Sequence, residues 1–265
     1  MIYLIKVNNV VFLLKIIYLL KNYFKNISMK EKLSKILCIS LFSIGSGVMG
    51  QNKLKVSLDA GYTYSILKSD LSNLIDSRYR GRYGFGVNLS GEYMIWKSLF
   101  VSTGISFQQK NYKFERTGNR DGWYTNYHND FLSFPLLIGG YILNNPHESE
   151  GVWIKVAGGM YTDYWLSMKR EGRYPVFNEL QEDGTFNYTE VSDTYDFKEN
   201  ENQINRLGYG LTGQAQLGYS LKNFDIYGSY NYQYGLSDIN KENAKNHKST
   251  LQSYMISLGV SYKFK

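Results

Sequence analysis

The chain has 265 residues, among them 25 Tyr, 14 Phe, 4 Trp, 25 Gly, 3 Pro and a single cysteine. So many aromatics and glycines, with so little proline, point to long strands with bends rather than to a helical core. The formal charge of +7 is no sign of a nucleic-acid partner: residues 1–50 hold seven lysines against Glu31 alone, which leaves +1 for everything that follows.

From Met29, "MKEKLSKILCISLFSIGSGVMGQ" has a basic start, an apolar stretch from Ile36 to Ile44 and small residues before a cut after Gly50. That order is the one a secretory signal follows. The expected organisation is an upstream extension over 1–28, a signal peptide over 29–50 and one domain over 51–265. The earlier "VVFLLKIIYLL" is interrupted by Lys15 and is too short for a spanning helix, which needs about 20 apolar residues. Cys38 lies inside the apolar part of the signal behind Leu37, which is not small, so it reads as a residue removed with the signal rather than a lipid anchor. The exported domain then has no thiol for a disulfide or a metal.

Beyond residue 50 the recurring feature is period two. Leu54, Val56, Leu58, Ala60 and Tyr62 alternate with Lys55, Ser57, Asp59 and Gly61, and Val101, Thr103, Ile105 and Phe107 alternate with Ser102, Gly104, Ser106 and Gln108. In "LGYGLTGQAQLGYSL" and "NFDIYGSYNYQYGL" one face is again large and apolar, the other small or polar, with Tyr227 the exception. The chain closes on Tyr254, Ile256, Leu258, Val260, Tyr262 and Phe264 alternating with Ser253, Met255, Ser257, Gly259, Ser261 and Lys263. Eight strands are expected, at about 53–65, 81–95, 99–114, 127–143, 151–166, 204–221, 224–236 and 251–264. Such lengths suit strands tilted across a bilayer, which need roughly 9–11 residues. Connections after strands two, four and six are short ("WKS", "NNPHESE", "KN") and the others long. The pattern is that of an all-β, eight-stranded antiparallel transmembrane β-barrel, an up-and-down meander in an outer membrane with both termini periplasmic.

"FLSFPLLIGGY", Phe131 to Tyr141, resembles the fourth-strand run of the PorT-like outer-membrane β-barrel proteins of Gram-negative bacteria, where aromatic-Leu-x-Ile/Phe-Pro-Leu-Leu is typical. "LFVSTGISFQQKNYKF" before it and "GYGLTGQAQLGYSL" after it are similar to that family's flanking strands, and the resemblance extends over 51–265. It implies fold and location and brings no catalytic residues; some family members are linked to secretion or gliding machinery. The stripe Tyr254, Ile256, Leu258, Val260, Tyr262 and Phe264 resembles the signal read by outer-membrane assembly machinery, with Lys265 departing from the usual terminal aromatic.

Several motifs have a bland reading beside the sharp one. "GYGLTG", Gly208 to Gly213, matches a dinucleotide-binding pattern but sits inside one alternating strand, where no helix follows. His128, Asp130 and Ser133 are close in sequence, yet on a strand Ser133 points away from the other two, which argues against a hydrolase. His147 and His247 are the other two histidines. Lys53, Lys55, Asp59, Arg82, Glu92, Lys155 and Asp163 fall on inward positions, and an eight-stranded interior is only wide enough for side chains, so paired charges are expected rather than a pore. The loop 171–201 carries nine acids against Arg173 and Lys198 without a calcium-loop spacing. Its Phe177, Phe186, Tyr188, Tyr195 and Phe197 exceed what solvation requires and are the candidate contacts to a protein partner. No cofactor is expected. The function expected is a non-enzymatic barrel, structural or partner-binding through long outer loops, in contact with membrane lipid and lipopolysaccharide. A component of a secretion or surface-assembly apparatus is the alternative; a small pore or a lipid-modifying enzyme ranks behind both.

Overall fold

A computed structural model describes residues 53–69, 76–118, 121–180, 184, 186–241 and 248–264. The expected extension over 1–28 and signal peptide over 29–50, with Cys38, and His247 lie outside the described residues. Among the described residues the chain forms ten strands: β1 (Leu54–Ser69), β2 (Ser77–Trp96), β3 (Leu99–Gln109), β4 (Tyr112–Arg116), β5 (Tyr124–Leu143), β6 (Gly151–Leu180), β7 (Phe186–Thr194), β8 (Leu207–Ser220), β9 (Phe224–Gly235) and β10 (Ser249–Lys263). Eight of them close a ring. Antiparallel pairs run β1–β2, β2–β3, β3–β5, β5–β6, β6–β8, β8–β9 and β9–β10. The seam β10–β1 then joins the chain's two ends, from Lys55↔Lys263 to Ser69↔Ser249.

The two strands beyond the expected eight have separate physical origins. β4 pairs with both β2 and β5, so β3 and β4 are one wall strand broken at Lys110 and Asn111. At the break, side-chain amides supply what the ladder loses: Asn111 Oδ1 accepts from the Asn129 backbone N–H at 2.9 Å, and Asn129 Nδ2 donates to the Lys110 carbonyl at 2.8 Å. Across from it, β2 takes five steps between Gly86↔Gln108 and Gly81↔Tyr112 where its partner takes four. A one-residue slip exchanges the two faces of a strand. Beyond the shift Tyr79 packs into the interior, while Arg78 and Arg80 stand outside with more than half of each side chain exposed. β7 pairs only with β6, from Lys169↔Thr194 to Leu180↔Phe186, and continues the β6 hairpin past the ring. The expected loop 167–203 is therefore partly strand. Alternating charges on one face and Pro175 within the run conceal its period.

Side chains sort by parity as the sequence pattern predicts. The outward stripe of β10 is exposed, with Leu258 the most so at 77 %, and Ser253, Ser257, Ser261 and Lys263 are buried on the other face. Outward Leu58, Tyr62, Phe85, Leu89, Leu136, Ile138, Leu217 and Ile226 continue an apolar belt around the ring. Connections of two residues (Lys97 and Ser98), seven (Asn144 to Glu150) and three (Leu221 to Asn223) occupy one end, here the turn end, beside both ends of the ring. Long connections occupy the other, the loop end. Wall glycines mark close approaches: a Cβ on Gly210 of the "GYGLTG" run would lie 2.2 Å from the Tyr234 carbonyl oxygen and 2.7 Å from the Tyr161 ring, inside strand β8.

The depth of the belt is testable. An outward arginine near the middle of the span costs about 2–4 kcal/mol and one near an interface about 0–1 kcal/mol. Leu258→Arg should therefore lower folding free energy in lipid vesicles by the larger amount and Phe264→Arg by the smaller. Equal losses in a denaturant titration of the two variants would place the stripe elsewhere than against lipid.

Candidate functional site

The interior at the turn end holds the densest chemistry in the molecule. The seam register sets Lys55 directly opposite Lys263, two cations on adjacent strands. Asp225 of β9 resolves the conflict: its carboxylate lies 3.4 Å from Lys55 Nζ and 3.0 Å from Lys263 Nζ, fully buried, and accepts a hydrogen bond from Ser261 Oγ at 3.1 Å. Lys263 Nζ also donates to the Ser220 hydroxyl and to the carbonyls of Pro146 and Leu221. On the far side Glu92 accepts from Lys155 and from the Tyr141 hydroxyl, which itself accepts from Lys55. His147, on the turn between β5 and β6, places Nε2 3.7 Å from Glu92.

Aromatic rings form the walls around these charges. Lys55 Nζ lies 4.8 Å from the Trp153 ring centre and Lys155 Nζ 4.9 Å from Phe100, within the range of cation–π attraction. Asp59, one layer deeper, accepts from Asn88 Nδ2 at 2.6 Å and from the Tyr227 hydroxyl at 3.0 Å. Further toward the loop end Lys110 pairs with Asp163 at 2.5 Å, and Ser133 donates to the same carboxylate. Each buried lysine thus has a carboxylate within reach, and Asp59 is held by two neutral donors, so every buried charge has polar partners, as charges out of water must.

A second, apolar layer shuts the loop end. Phe131 stacks on Trp165 with ring centres 4.9 Å apart, Trp165 meets Phe197 at 5.6 Å, and Phe197 meets Tyr195 at 5.2 Å. Arg206 covers Phe197 at 4.7 Å while its Nε donates to the Trp165 carbonyl. Two interior cavities, lined by Phe131, Asp163 and Trp165 and by Asp59, Asn88 and Gln233, have volumes of about 20 and 30 Å³. Each has room for one or two waters and none for a solute.

The sequence-derived candidates separate in this geometry. Lys55, Asp59, Glu92, Lys155 and Asp163 are buried inside as expected. Lys53 is instead exposed before β1 begins, and Arg82, at the β2 shift, is half-buried with Nη1 3.3 Å from His128 Nε2. Among the five loop aromatics, Tyr195 is buried and Phe197 half-buried, both folded onto the interior cluster. Tyr188 stands on the β6–β7 hairpin under the Arg173 guanidinium, 4.2 Å from its ring, and donates to the Asp121 carbonyl. The side chains of Phe177 and Phe186 lie outside the described residues.

His128, Asp130 and Ser133 are dispersed: Ser133 serves Asp163 inside, Asp130 accepts from Ser167 and Gln109, and His128 lies between Arg82 and Glu171. Of the acids in loop 171–201, Glu171 takes Lys169, Asp193 takes Arg170, and Asp196 caps the turn at the backbone N–H of Lys198. No cluster of three or more potential metal ligands occurs among the described residues. The sequence reading passed over Asp225, Lys263 and Lys110. The first two sit on the polar parity of β9 and β10, and the β9–β10 register, which sets Asp225 opposite Ser261, brings them together.

Removing one partner of a buried ion pair costs about 3–5 kcal/mol because the other charge is stranded. Asp225→Asn should destabilise the barrel by that order, and adding Lys263→Met should recover part of the loss. A double-mutant cycle in vesicle refolding checks this, and additive effects would remove the bridge from the account.

Comparison with known proteins agrees with this architecture. The family model described as "Outer membrane protein beta-barrel domain" matches residues 49–241. No curated protein matches the chain. Among solved structures the chain is similar to Neisserial surface protein A, at 16 % identity and TM-score 0.40 over 80 % of this chain and 97 % of that one. It is likewise similar to the N-terminal β-barrel domain of OprF from Pseudomonas aeruginosa, at 15 %, TM-score 0.37, over 82 % and 100 %. The outer membrane protease OmpT from Escherichia coli gives 9 %, TM-score 0.36, over 80 % and 97 %. The chain belongs to the outer membrane protein beta-barrel domain family.

Proposed function

We propose that the protein is a non-conducting, non-enzymatic outer membrane barrel that acts through its loop end, with both termini on the periplasmic side. One observation carries the reading: the interior is occupied along its length, by the Lys55, Glu92, Lys155, Asp225 and Lys263 network at one end and by the Trp165, Tyr195 and Phe197 layer at the other. A wall filled by its own side chains does not select or pass solutes. What it offers a partner is surface. The β6–β7 hairpin extends past the ring and carries Tyr188 packed beneath Arg173, an aromatic and arginine pair of the kind that anchors interfaces.

The PorT-like run from Phe131 to Tyr141 supports a second reading, in which the hairpin docks a component of a secretion or surface-assembly apparatus. The outward stripe Tyr254, Ile256, Leu258, Val260, Tyr262 and Phe264 suits recognition by assembly machinery before insertion. Capture of crosslinked partners from intact cells separates the readings: recurrent secretion-machinery subunits, lost when Tyr188 and Arg173 are both replaced by Ala, favour the second.

In planar bilayers the folded protein should give no stable conductance of porin size. A reproducible channel would overturn the filled-interior reading.

A further inference from the structure

We propose that the outward face of β2 and β4 at the loop end is a docking surface for the phosphorylated headgroup of an outer-leaflet glycolipid, with Arg78, Arg80 and Lys113 as its contacts. The proposal rests on the barrel being inserted in an outer membrane with its loop end outside.

The strand register builds the surface. Arg80 lies opposite Lys113, and Arg78 opposite Glu115, on adjacent antiparallel strands. Arg78 Nε and Arg80 Nε both reach Glu115 Oε1, at 2.6 and 2.5 Å, and Lys113 Nζ reaches Oε2 at 3.1 Å. Glu115 is 13 % exposed whereas the two arginines are 53 % and 54 % exposed. Burial raises the Glu115 carboxyl, and the Arg78 and Lys113 hydrogen bonds with the Lys113 and Arg80 charges outweigh it, so the group stays below the ordinary carboxylate range. Three cations around one ionised carboxylate leave a surplus of two positive charges. The carboxylate fixes the cationic heads without neutralising them.

Position identifies the occupant. Along β2, Tyr83, Phe85 and Leu89 are exposed at 70 %, 46 % and 48 %, and the arginines follow immediately beyond them. They therefore stand where hydrocarbon gives way to headgroups. On β8 and β9 the exposed outward positions toward the loop end are Leu207, Tyr209, Tyr232 and Tyr234, all uncharged. Each guanidinium spends its Nε on Glu115 and, among the described residues, has its terminal nitrogens left for a ligand; that fork matches a phosphate bidentately. The arginines face outward only because β2 shifts register between Gly81 and Gly86. Without the shift Tyr79 would face lipid and the arginines would be buried. A local irregularity that re-aims side chains is a common companion of a functional site.

The test uses the full chain refolded in detergent, with purified phosphorylated outer-leaflet glycolipid as probe and the midpoint of heat-induced loss of the compact gel band as readout. Glycolipid should raise the midpoint for wild type. In the triple variant Arg78→Gln, Arg80→Gln, Lys113→Gln it should take roughly 100-fold more glycolipid to do so, from about fivefold per lost cation near an anionic surface. A control triple at other exposed lysines, Lys53→Gln, Lys97→Gln, Lys222→Gln, should behave as wild type. Equal weakening in the control, or an undiminished effect of dephosphorylated glycolipid, would overturn the proposal. So would full competition by the deacylated phosphorylated glycan, which would assign the surface to soluble polyanions. Absence of any compact band in wild type would instead overturn the barrel reading beneath it, and a compact band in the triple variant shows that its loss of binding is not loss of folding.

Discussion

Every other feature of this protein depends on the seam between its first and last strands. An unpaired backbone N–H or C=O in hydrocarbon costs several kcal/mol, and a sheet with free edges exposes a whole row of them. Pairing β1 with β10 from Lys55↔Lys263 to Ser69↔Ser249 removes both edges at once. At its turn end the seam is extended by the Phe264 N–H donating to the Leu54 carbonyl at 3.0 Å. Closure then gives each strand one inside and one outside, which is why period two can divide so long a chain into two environments. Where the ladder breaks at Lys110, the amides of Asn111 and Asn129 stand in for it. The rule of complete pairing holds even at the irregularity.

Closure also explains why the interior is polar. Were both faces apolar, a strand could slip by one residue with little penalty; a polar interior makes the slipped register place charges in lipid. The buried ions add a second check. They contribute little net stability, since desolvation offsets their attraction, but a charge without its partner is heavily penalised. Asp225 lies between Lys55 and Lys263 only when β10 is in register with β1 and β9 together. The three lysines and their carboxylates thus stabilise one closure over its neighbours more than they stabilise the folded state itself.

Period two made the wall legible from sequence: the alternation of Tyr254 to Phe264 with serines reads directly as an outside and an inside, and the short and long connections read as two ends. The eight ring strands follow from those facts alone. What escaped were consequences of pairing rather than of composition. Lys263 and Lys55 each look like an ordinary inward lysine until the register sets them side by side. Tyr195 and Phe197 look like loop aromatics for a partner until Trp165 and Phe131 supply the surface they fold upon. β7 was hidden because it pairs with β6 alone and needs no buried stripe.

The β2 shift joins these two kinds of information. Local pattern along Arg78 to Arg82 assigns the wrong faces, because parity counted from Tyr83 carries straight through a position where the ladder drops a residue. Sequences that specify one structure agree with it at every level, and departures concentrate where something besides stability is selected. Here the departure turns Tyr79 into the aromatic cluster that closes the loop end and turns two arginines out above the belt. One displaced residue in the ladder therefore serves both the sealed interior and the charged exterior. The place where the sequence misleads is the place where inside and outside are assigned anew.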